Sequence, residues 1–253
     1  MHVKIWISTV LLLLCIGVSA KAEPLKVAAA ANLQKVFTEA LIPAFEKKTG
    51  FAVLPTYGAT KLLAVQLENG APIDVFVAAD TATVQKLAGE RLLIASTVHT
   101  YAIGHLVLWS RKEAAHHPVR LADLTDPVYA HIAIANPKTA PYGLAAQETI
   151  TKLGLSAKLA PRLVQAENIG QTLQFAQSGN ADVALTALSL VIQDKTNPYS
   201  VVDDNLHAPI TQSLGLVRTT TLTTQALAFI NYLTGKDTDK IWKSYGYSLP
   251  KRP

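Results

Sequence analysis

The sequence predicts an α/β protein of two doubly wound lobes with a ligand cleft between them. Three observations carry that expectation. Short, nearly continuous apolar runs have the pattern of buried parallel strands. Each is followed by a stretch with apolar residues at helical spacing, bounded by capping residues. No Gly/Ser linker or low-complexity segment separates the halves, so extended crossovers, rather than a tandem of beads, must join them.

The elements follow in order. Leu25–Ala30 (LKVAAA) is the first strand, and Asn32 is a candidate N-cap. Leu33, Val36, Phe37, Ala40, Leu41 and Phe45 then recur at helical spacing, with Lys47 and Lys48 in the last turn and Gly50 beyond it. Ala52 to Thr56 is a weaker strand, and Pro55 places it at a sheet edge or a strand end. Gly58-Ala59-Thr60 opens a helix that stops at Asn69-Gly70, and Asp74 to Ala79 is a buried strand. Asp80-Thr81 starts a helix that ends at Gly89, and Tyr101 to Ser110 is one long strand-like segment. The second half repeats the theme, with strands at 131–135 and 182–186 and helices at 142–153 and 169–177. An extended run at 210–217 and helices at 224–233 and 237–245 close the chain. The expected division is one lobe of 23–102 plus 212–253 and a second of 103–211.

Not all 253 residues belong to that fold. Lys4, an apolar run from Ile5 to Val18, and Ala20-Lys21-Ala22 have the layout of a secretory signal cleaved after Ala22, over residues 1–22. An uncleaved anchor is the alternative, but the run of about 14 residues falls short of the ~20 needed to span a bilayer. Losing Lys4 and Lys21 leaves 21 basic against 18 acidic residues, so the formal charge falls from +5 to +3. That is too little for a nucleic-acid binder, and no basic run interleaves with aromatics. The single cysteine, Cys15, leaves with the signal, so the mature chain has neither disulfides nor thiolate chemistry. Lipidation of Cys15 is disfavoured by the bulky Leu14 before it. Export through a cleaved signal implies a periplasmic location.

Familiar enzyme signatures are missing. There is no G-x-x-x-x-G-K-[ST] or G-x-G-x-x-G loop, and no G-x-S-x-G elbow in the mature chain. No two histidines of the mature chain have H-x-x-x-H spacing, so His99, His105, His116, His117, His131 and His207 are expected in loops or at the surface. Asp203-Asp204-Asn205 is expected to be a solvated turn. No enzyme, no cofactor and no metal bound directly by side chains is expected.

The informative feature is how the helices begin. Ala31-Asn32, Ala59-Thr60, Pro141-Tyr142-Gly143 and Asn168-Ile169-Gly170 each fall at an expected helix N-terminus, where free N–H groups and the positive dipole end favour an anion. In doubly wound sheets these first turns cluster at the carboxyl ends of the strands. A plainer alternative is that Asn32 and Thr60 only cap their own helices, worth about 1 kcal/mol each.

Six segments in order resemble the molybdate/tungstate-binding proteins of bacterial ABC importers, members of the type II periplasmic binding protein class. They are Ala28-Ala29-Ala30-Ala31-Asn32-Leu33; Asn69 to Asp80 (NGAPIDVFVAAD); Thr100 to Gly104 with Leu106 to Ser110; Asn136-Pro137 with Ala140-Pro141-Tyr142-Gly143; Glu167 to Thr172 (ENIGQT); and Tyr245-Gly246-Tyr247. The resemblance covers essentially all of 23–253. It implies a monomer that holds one oxyanion between its lobes through hydroxyls and amides and delivers it to a membrane permease. Any molybdenum would be present only within the bound oxyanion. By position, Asn32, Thr60, Tyr142 and Ile169 would bind the ligand, with Ala31 and Lys61 as further candidates. Ala31 stands where some relatives have Thr, Ala59-Thr60 where a Ser-Ser pair is usual, and Ala187 where another branch has a ligand Tyr. Tyr142 would then supply the tyrosine contact alone.

Donor chemistry narrows the ligand. A buried dianion needs many charge-assisted hydrogen bonds. Amides and hydroxyls suit an oxyanion that carries no proton, which argues against phosphate near neutral pH. Sulfate is also unprotonated and remains the alternative; its rejection would have to come from cavity size. A secreted enzyme on a related two-lobed fold is the alternative of another class.

Overall fold

The computed structural model describes residues 23–251; the expected signal peptide, with Cys15, lies outside the described residues. Ten strands are present among them: β1 (Leu25–Ala30), β2 (Val53–Gly58), β3 (Val75–Val77), β4 (His99–Gly104), β5 (Leu106–Trp109), β6 (Ile132–Ala135), β7 (Leu163–Ala166), β8 (Val183–Ala187), β9 (Tyr199–Val201) and β10 (Ile210–Leu216). The α-helices are α1 (Gln34–Val36), α2 (Ile42–Thr49), α3 (Thr60–Glu68), α4 (Thr81–Gly89), α5 (Pro141–Lys152), α6 (Ser156–Leu159), α7 (Ile169–Ser178), α8 (Leu188–Val191), α9 (Thr223–Thr234) and α10 (Asp239–Ser244).

The strands form two five-stranded sheets, ordered β2-β1-β3-β10-β4 and β7-β6-β8-β5-β9. In the first, β1 runs parallel to β2 and β3, while β10 is antiparallel to β3 and β4. In the second, β6 is parallel to β7 and β8, while β5 is antiparallel to β8 and β9. Each sheet is thus mixed rather than wholly parallel. The parallel strands are linked by helices, as crossover connections require, and the antiparallel strands are those by which the chain changes sheets. Pro55 lies in β2, an edge strand, where its missing N–H leaves no ladder bond unmade.

Three expectations are corrected. The segment 101–110 is not one strand. It breaks at His105 into β4, in the first sheet, and β5, in the second. Ile103-Gly104 and Ile210-Thr211, assigned from sequence to the second lobe, pair with each other in the first sheet. Asn32 is not an N-cap: Ala30 holds that position, and Asn32 lies inside a 3-10 turn, Ala31–Leu33. From that turn the chain continues through α1, a π-helical stretch (Phe37–Leu41) and α2 without leaving helical backbone. Asp80 does cap its helix, accepting the Thr83 N–H at 2.6 Å.

The first lobe's outer core is aromatic. Phe229 of α9 meets the edges of Phe37 and Phe45 at ring separations of 5.9 and 5.0 Å, a geometry favoured by the ring quadrupoles. Trp242 of α10 lies 5.1 Å from Tyr101 and 5.1 Å from Tyr247, joining this core to the polar centre of the molecule. No helix among the described residues is long and apolar enough to cross a membrane.

Candidate functional site

The four helix starts singled out in the sequence meet around one cavity. It is lined by residues of four loops: 30–32, 58–60 with Ala79, 140–142, and Ile169. The first two groups follow strands of the first sheet; the others follow β6 and β7 of the second. The four residues expected to bind the ligand all line it: Asn32, Thr60, Tyr142 and Ile169, together with Ala31. Each is almost wholly shielded from solvent, from 0% exposure at Asn32 to 4% at Ile169. The lining is otherwise Gly58, Pro141 and alanines, which bring backbone close to whatever occupies the space.

Each element reaches the cavity for a local reason. Thr60 is the first residue of α3; Ala59 holds the cap position, with no side-chain capping bond. The Thr60 hydroxyl instead accepts the backbone N–H of Ala79 at 3.0 Å. One of its two lone pairs is used there, and its own proton remains for another partner. α5 opens with Pro141, whose ring presets helical φ and whose absent N–H leaves Tyr142 as the first amide of the turn. Gly143 packs α5 tightly on β6: a Cβ there would lie 2.3 Å from the Ala135 carbonyl oxygen. α7 starts at Ile169 because Asn168 caps it, accepting the Gln171 N–H at 3.0 Å. First-turn amides have no acceptor within their own helix, so those of Thr60, Tyr142 and Ile169 are available donors.

No charged side chain lines the cavity. Lys61 is exposed, and it borders a neighbouring, mainly apolar groove with Asp80, Leu144, Glu148 and Pro209. Its backbone N–H donates to the Thr139 carbonyl at 3.1 Å, tying α3 to the loop before α5. Lys61 thus contributes a bridge between the sheets through its backbone. Ala187 ends β8 opposite Leu106 and is absent from the cavity lining.

Behind the cavity is a buried polar network that the sequence did not reveal. Asn32 donates its side-chain amide to Gln212 Oε1 (2.8 Å) and to the Tyr247 hydroxyl (2.9 Å). Tyr247 in turn donates to the Asn32 carbonyl at 3.0 Å, which also accepts from Ser189 Oγ at 2.9 Å. Asn32 Oδ1 is buried without a partner. Burial holds the hydroxyls of Tyr101, Tyr142 and Tyr247 well above the ordinary tyrosine range, so all three stay protonated donors. The C-terminal Tyr245-Gly246-Tyr247 segment was noticed as a motif, but nothing in its spacing indicated that Tyr247 reaches Asn32.

The histidines lie in loops or at the surface, as expected, and His105 is also tied into the fold. His105, at the break between β4 and β5, has Nδ1 3.0 Å from Asp204 Oδ2 and Nε2 2.8 Å from Ser248 Oγ. It links both crossover segments to the C-terminal tail, and Asp204 is its partner rather than only a solvated turn residue. His207 lies in the loop before β10 and is buried there. No cluster of three or more His, Cys, Asp or Glu side chains able to hold a metal ion occurs among the described residues.

Two α/β sheets joined by extended crossovers, with a cavity between their helix starts, define a two-lobed solute-binding protein. Residues 25–248 match the model of the bacterial extracellular solute-binding protein family, and the chain belongs to that family of binding proteins rather than to an enzyme family. It is 38% identical over 235 residues to the molybdate-binding protein ModA of Azotobacter vinelandii, covering 91% of this chain and 92% of the relative. It is 35% identical to the ModA of Rhodobacter capsulatus, covering 93% and 92%. The solved Azotobacter vinelandii periplasmic molybdate-binding protein superposes with a TM-score of 0.85 at 35% identity, over 90% of this chain and all of that one. The sulfate-binding protein SubI of Mycobacterium tuberculosis, at 16% identity, TM-score 0.74 and coverage of 89% and 86%, shares the fold.

Proposed function

We propose that this chain is an exported periplasmic receptor that captures molybdate, and tungstate as well, and delivers the anion to the permease of an ABC importer. One observation carries this reading: four helix starts from two sheets converge on a buried cavity furnished with neutral donors and no charged side chain. Such a site compensates the lost hydration of a dianion with charge-assisted hydrogen bonds. The first-turn amides of Thr60, Tyr142 and Ile169 and the hydroxyls of Thr60 and Tyr142 supply donors, and Ala31 and Asn32 add the opening turn of the first lobe. The molybdate-binding relatives named above support the same ligand.

The absence of any Asp or Glu from the lining disfavours an anion that keeps a proton, such as phosphate near neutral pH. Sulfate offers the same unprotonated tetrahedral surface, and only size separates it: shorter bonds leave some donors under-satisfied. Calorimetric titration of the purified mature chain with molybdate, tungstate, sulfate and phosphate tests the proposal. Tight one-to-one binding of the first two alone is expected. Sulfate binding of equal strength would replace molybdate as the assigned solute, and no binding of any oxyanion would overturn the receptor reading.

A further inference from the structure

We propose that Ser189, which is outside the cavity lining, is a positioning residue for the oxyanion: its hydroxyl holds the Asn32 carbonyl from the opposite lobe and so aims the amides of the first anion loop. The proposal rests on the oxyanion-receptor reading and adds a residue to it. Ser189 is on α8, which follows β8 of the second sheet, and it is 2% exposed. Asn32 follows β1 of the first sheet, 157 residues away in sequence. Ser189 Oγ lies 2.9 Å from the Asn32 carbonyl oxygen. A carbonyl only accepts, so the hydroxyl is the donor, whichever way the side-chain amides of the neighbouring network are turned.

The bond falls where it controls the donors. Ala31–Leu33 is a 3-10 turn whose cap, Ala30, makes no side-chain capping bond. The first amides of such a turn have no acceptor within it, so those of Ala31 and Asn32, both in the cavity lining, are left for a ligand. The carbonyls point the other way, toward the far end of the turn. There the Asn32 carbonyl meets two donors, Ser189 Oγ at 2.9 Å and the Tyr247 hydroxyl at 3.0 Å. Both of its lone pairs are occupied, and the turn cannot roll about the end of β1 without breaking one of these bonds. Binding groups have to be held within about 0.5 Å and 10–20° of their working geometry. With no side-chain cap on the turn, the hold on its carbonyl supplies that control.

One close contact brings the two donors together. Gly246 has φ +77°, and a Cβ on it would lie 2.7 Å from Leu188 Cγ. Its left-handed backbone and missing side chain seat the C-terminal segment directly on α8. The next residue on each side is a donor to Asn32: Ser189 after Leu188, and Tyr247 after Gly246. The same corner also serves its own lobe, because Thr186 Oγ1, buried near the end of β8, donates to the Ile169 carbonyl at 3.4 Å. The β8–α8 corner therefore holds two anion loops by their carbonyls, one from each lobe, and Ser189 ties the two together.

The test uses the full mature chain, with sodium molybdate as the probe. Ser189→Ala removes the hydroxyl and Ser189→Thr keeps it. By calorimetry, Ser189→Ala is expected to bind about 3- to 10-fold more weakly, the effect of one buried hydrogen bond, and Ser189→Thr to recover most of that loss. Amide proton shifts at saturating molybdate separate positioning from general damage. In the parent, the anion should move the Ala31, Asn32 and Thr60 amide resonances. In Ser189→Ala the response should shrink at Ala31 and Asn32 and persist at Thr60, whose helix α8 does not hold. Parent-like affinity in Ser189→Ala, or equal losses in the Ala and Thr variants, would overturn the proposal. A response that shrinks equally at Thr60 would mark a merely structural Ser189 and also overturn it. A parent chain that binds no molybdate would overturn both the receptor reading and this one; parent binding with any of the preceding outcomes overturns only the role of Ser189.

Discussion

The hydroxyl oxygen of Thr60 accepts the backbone N–H of Ala79 at 3.0 Å, joining the first turn of α3 to the end of the β3 segment. This bond excludes the simplest alternative for Thr60, that it caps its own helix, because Ala59 occupies the cap and no side-chain capping bond is made. It also aligns the hydroxyl: with the oxygen already accepting, the proton is left for a partner in the cavity.

Thr60→Val is therefore expected to weaken molybdate binding by about 1–3 kcal/mol, the worth of a buried charge-assisted bond. It also leaves the Ala79 N–H without an acceptor, so the free protein should lose a further ~1–3 kcal/mol of stability. Thr60→Ser should retain both functions. Calorimetry and denaturant unfolding on the same two variants separate the effects; Val and Ser variants of equal affinity would remove the hydroxyl from the site.

Lys61→Ala is expected to change affinity by less than about 1 kcal/mol, since its side chain is exposed and its bridging contact to Thr139 is made by the backbone. The measurement is titration at low and moderate salt. A large loss that salt suppresses in the parent protein would place the ammonium group at the anion.

Gly143→Ala should destabilise the chain by at least ~1–3 kcal/mol, the range for forced overpacking. The added methyl would meet the Ala135 carbonyl at 2.3 Å, a backbone atom that cannot rotate away. Because α5 also carries Tyr142, the variant should lose affinity along with thermal stability. A variant with parent-like melting and binding would show that α5 can shift without consequence.

The buried tyrosines make a prediction for alkaline pH. Burial raises the hydroxyls of Tyr101, Tyr142 and Tyr247 above their ordinary value. A folded-state pKa above the unfolded one means that the native chain binds more protons. Their contribution to stability is therefore complete below about pH 10, the unfolded tyrosine value, and is lost as pH rises from there toward the folded values. Melting temperature should fall steeply above that point. The tyrosinate absorbance of these three residues should appear together with unfolding; their ionisation in the folded protein, without loss of stability, would contradict the burial argument.

Much of this architecture was legible in the chain because local signals agreed with the tertiary result. The runs at 25–30 and 74–79 became β1 and β3, and Pro55 correctly marked an edge. The four helix starts were readable because first-turn chemistry is local. What escaped was long-range. Continuous apolar character from Tyr101 to Trp109 gave no sign that His105 would split it between two sheets. The pairing of Asn32 with Gln212 and Tyr247 spans 180 and 215 residues of sequence, and no spacing rule connects such positions. Asn32 was read as a cap since its residue type favours that role, whereas tertiary partners took its side chain instead.

Trp109 adjoins the crossover at His105, but the tryptophan expected to report ligand capture is Trp242. Trp109 is buried in the second lobe's own core, in one cluster with Val107, Ala133 and Ala184. Trp242 donates its indole N–H to the Leu233 carbonyl at 3.0 Å and packs against Tyr101 and, edge-on, Tyr247, both members of the network that reaches Asn32 and Gln212. A rearrangement of that network on ligand capture changes the environment of Trp242 and not that of Trp109. Molybdate is therefore expected to alter the intrinsic fluorescence of the parent and of Trp109→Phe, and to leave Trp242→Phe nearly unchanged while calorimetry still records binding. A signal that survives in Trp242→Phe and disappears in Trp109→Phe would place the moving surroundings in the second lobe.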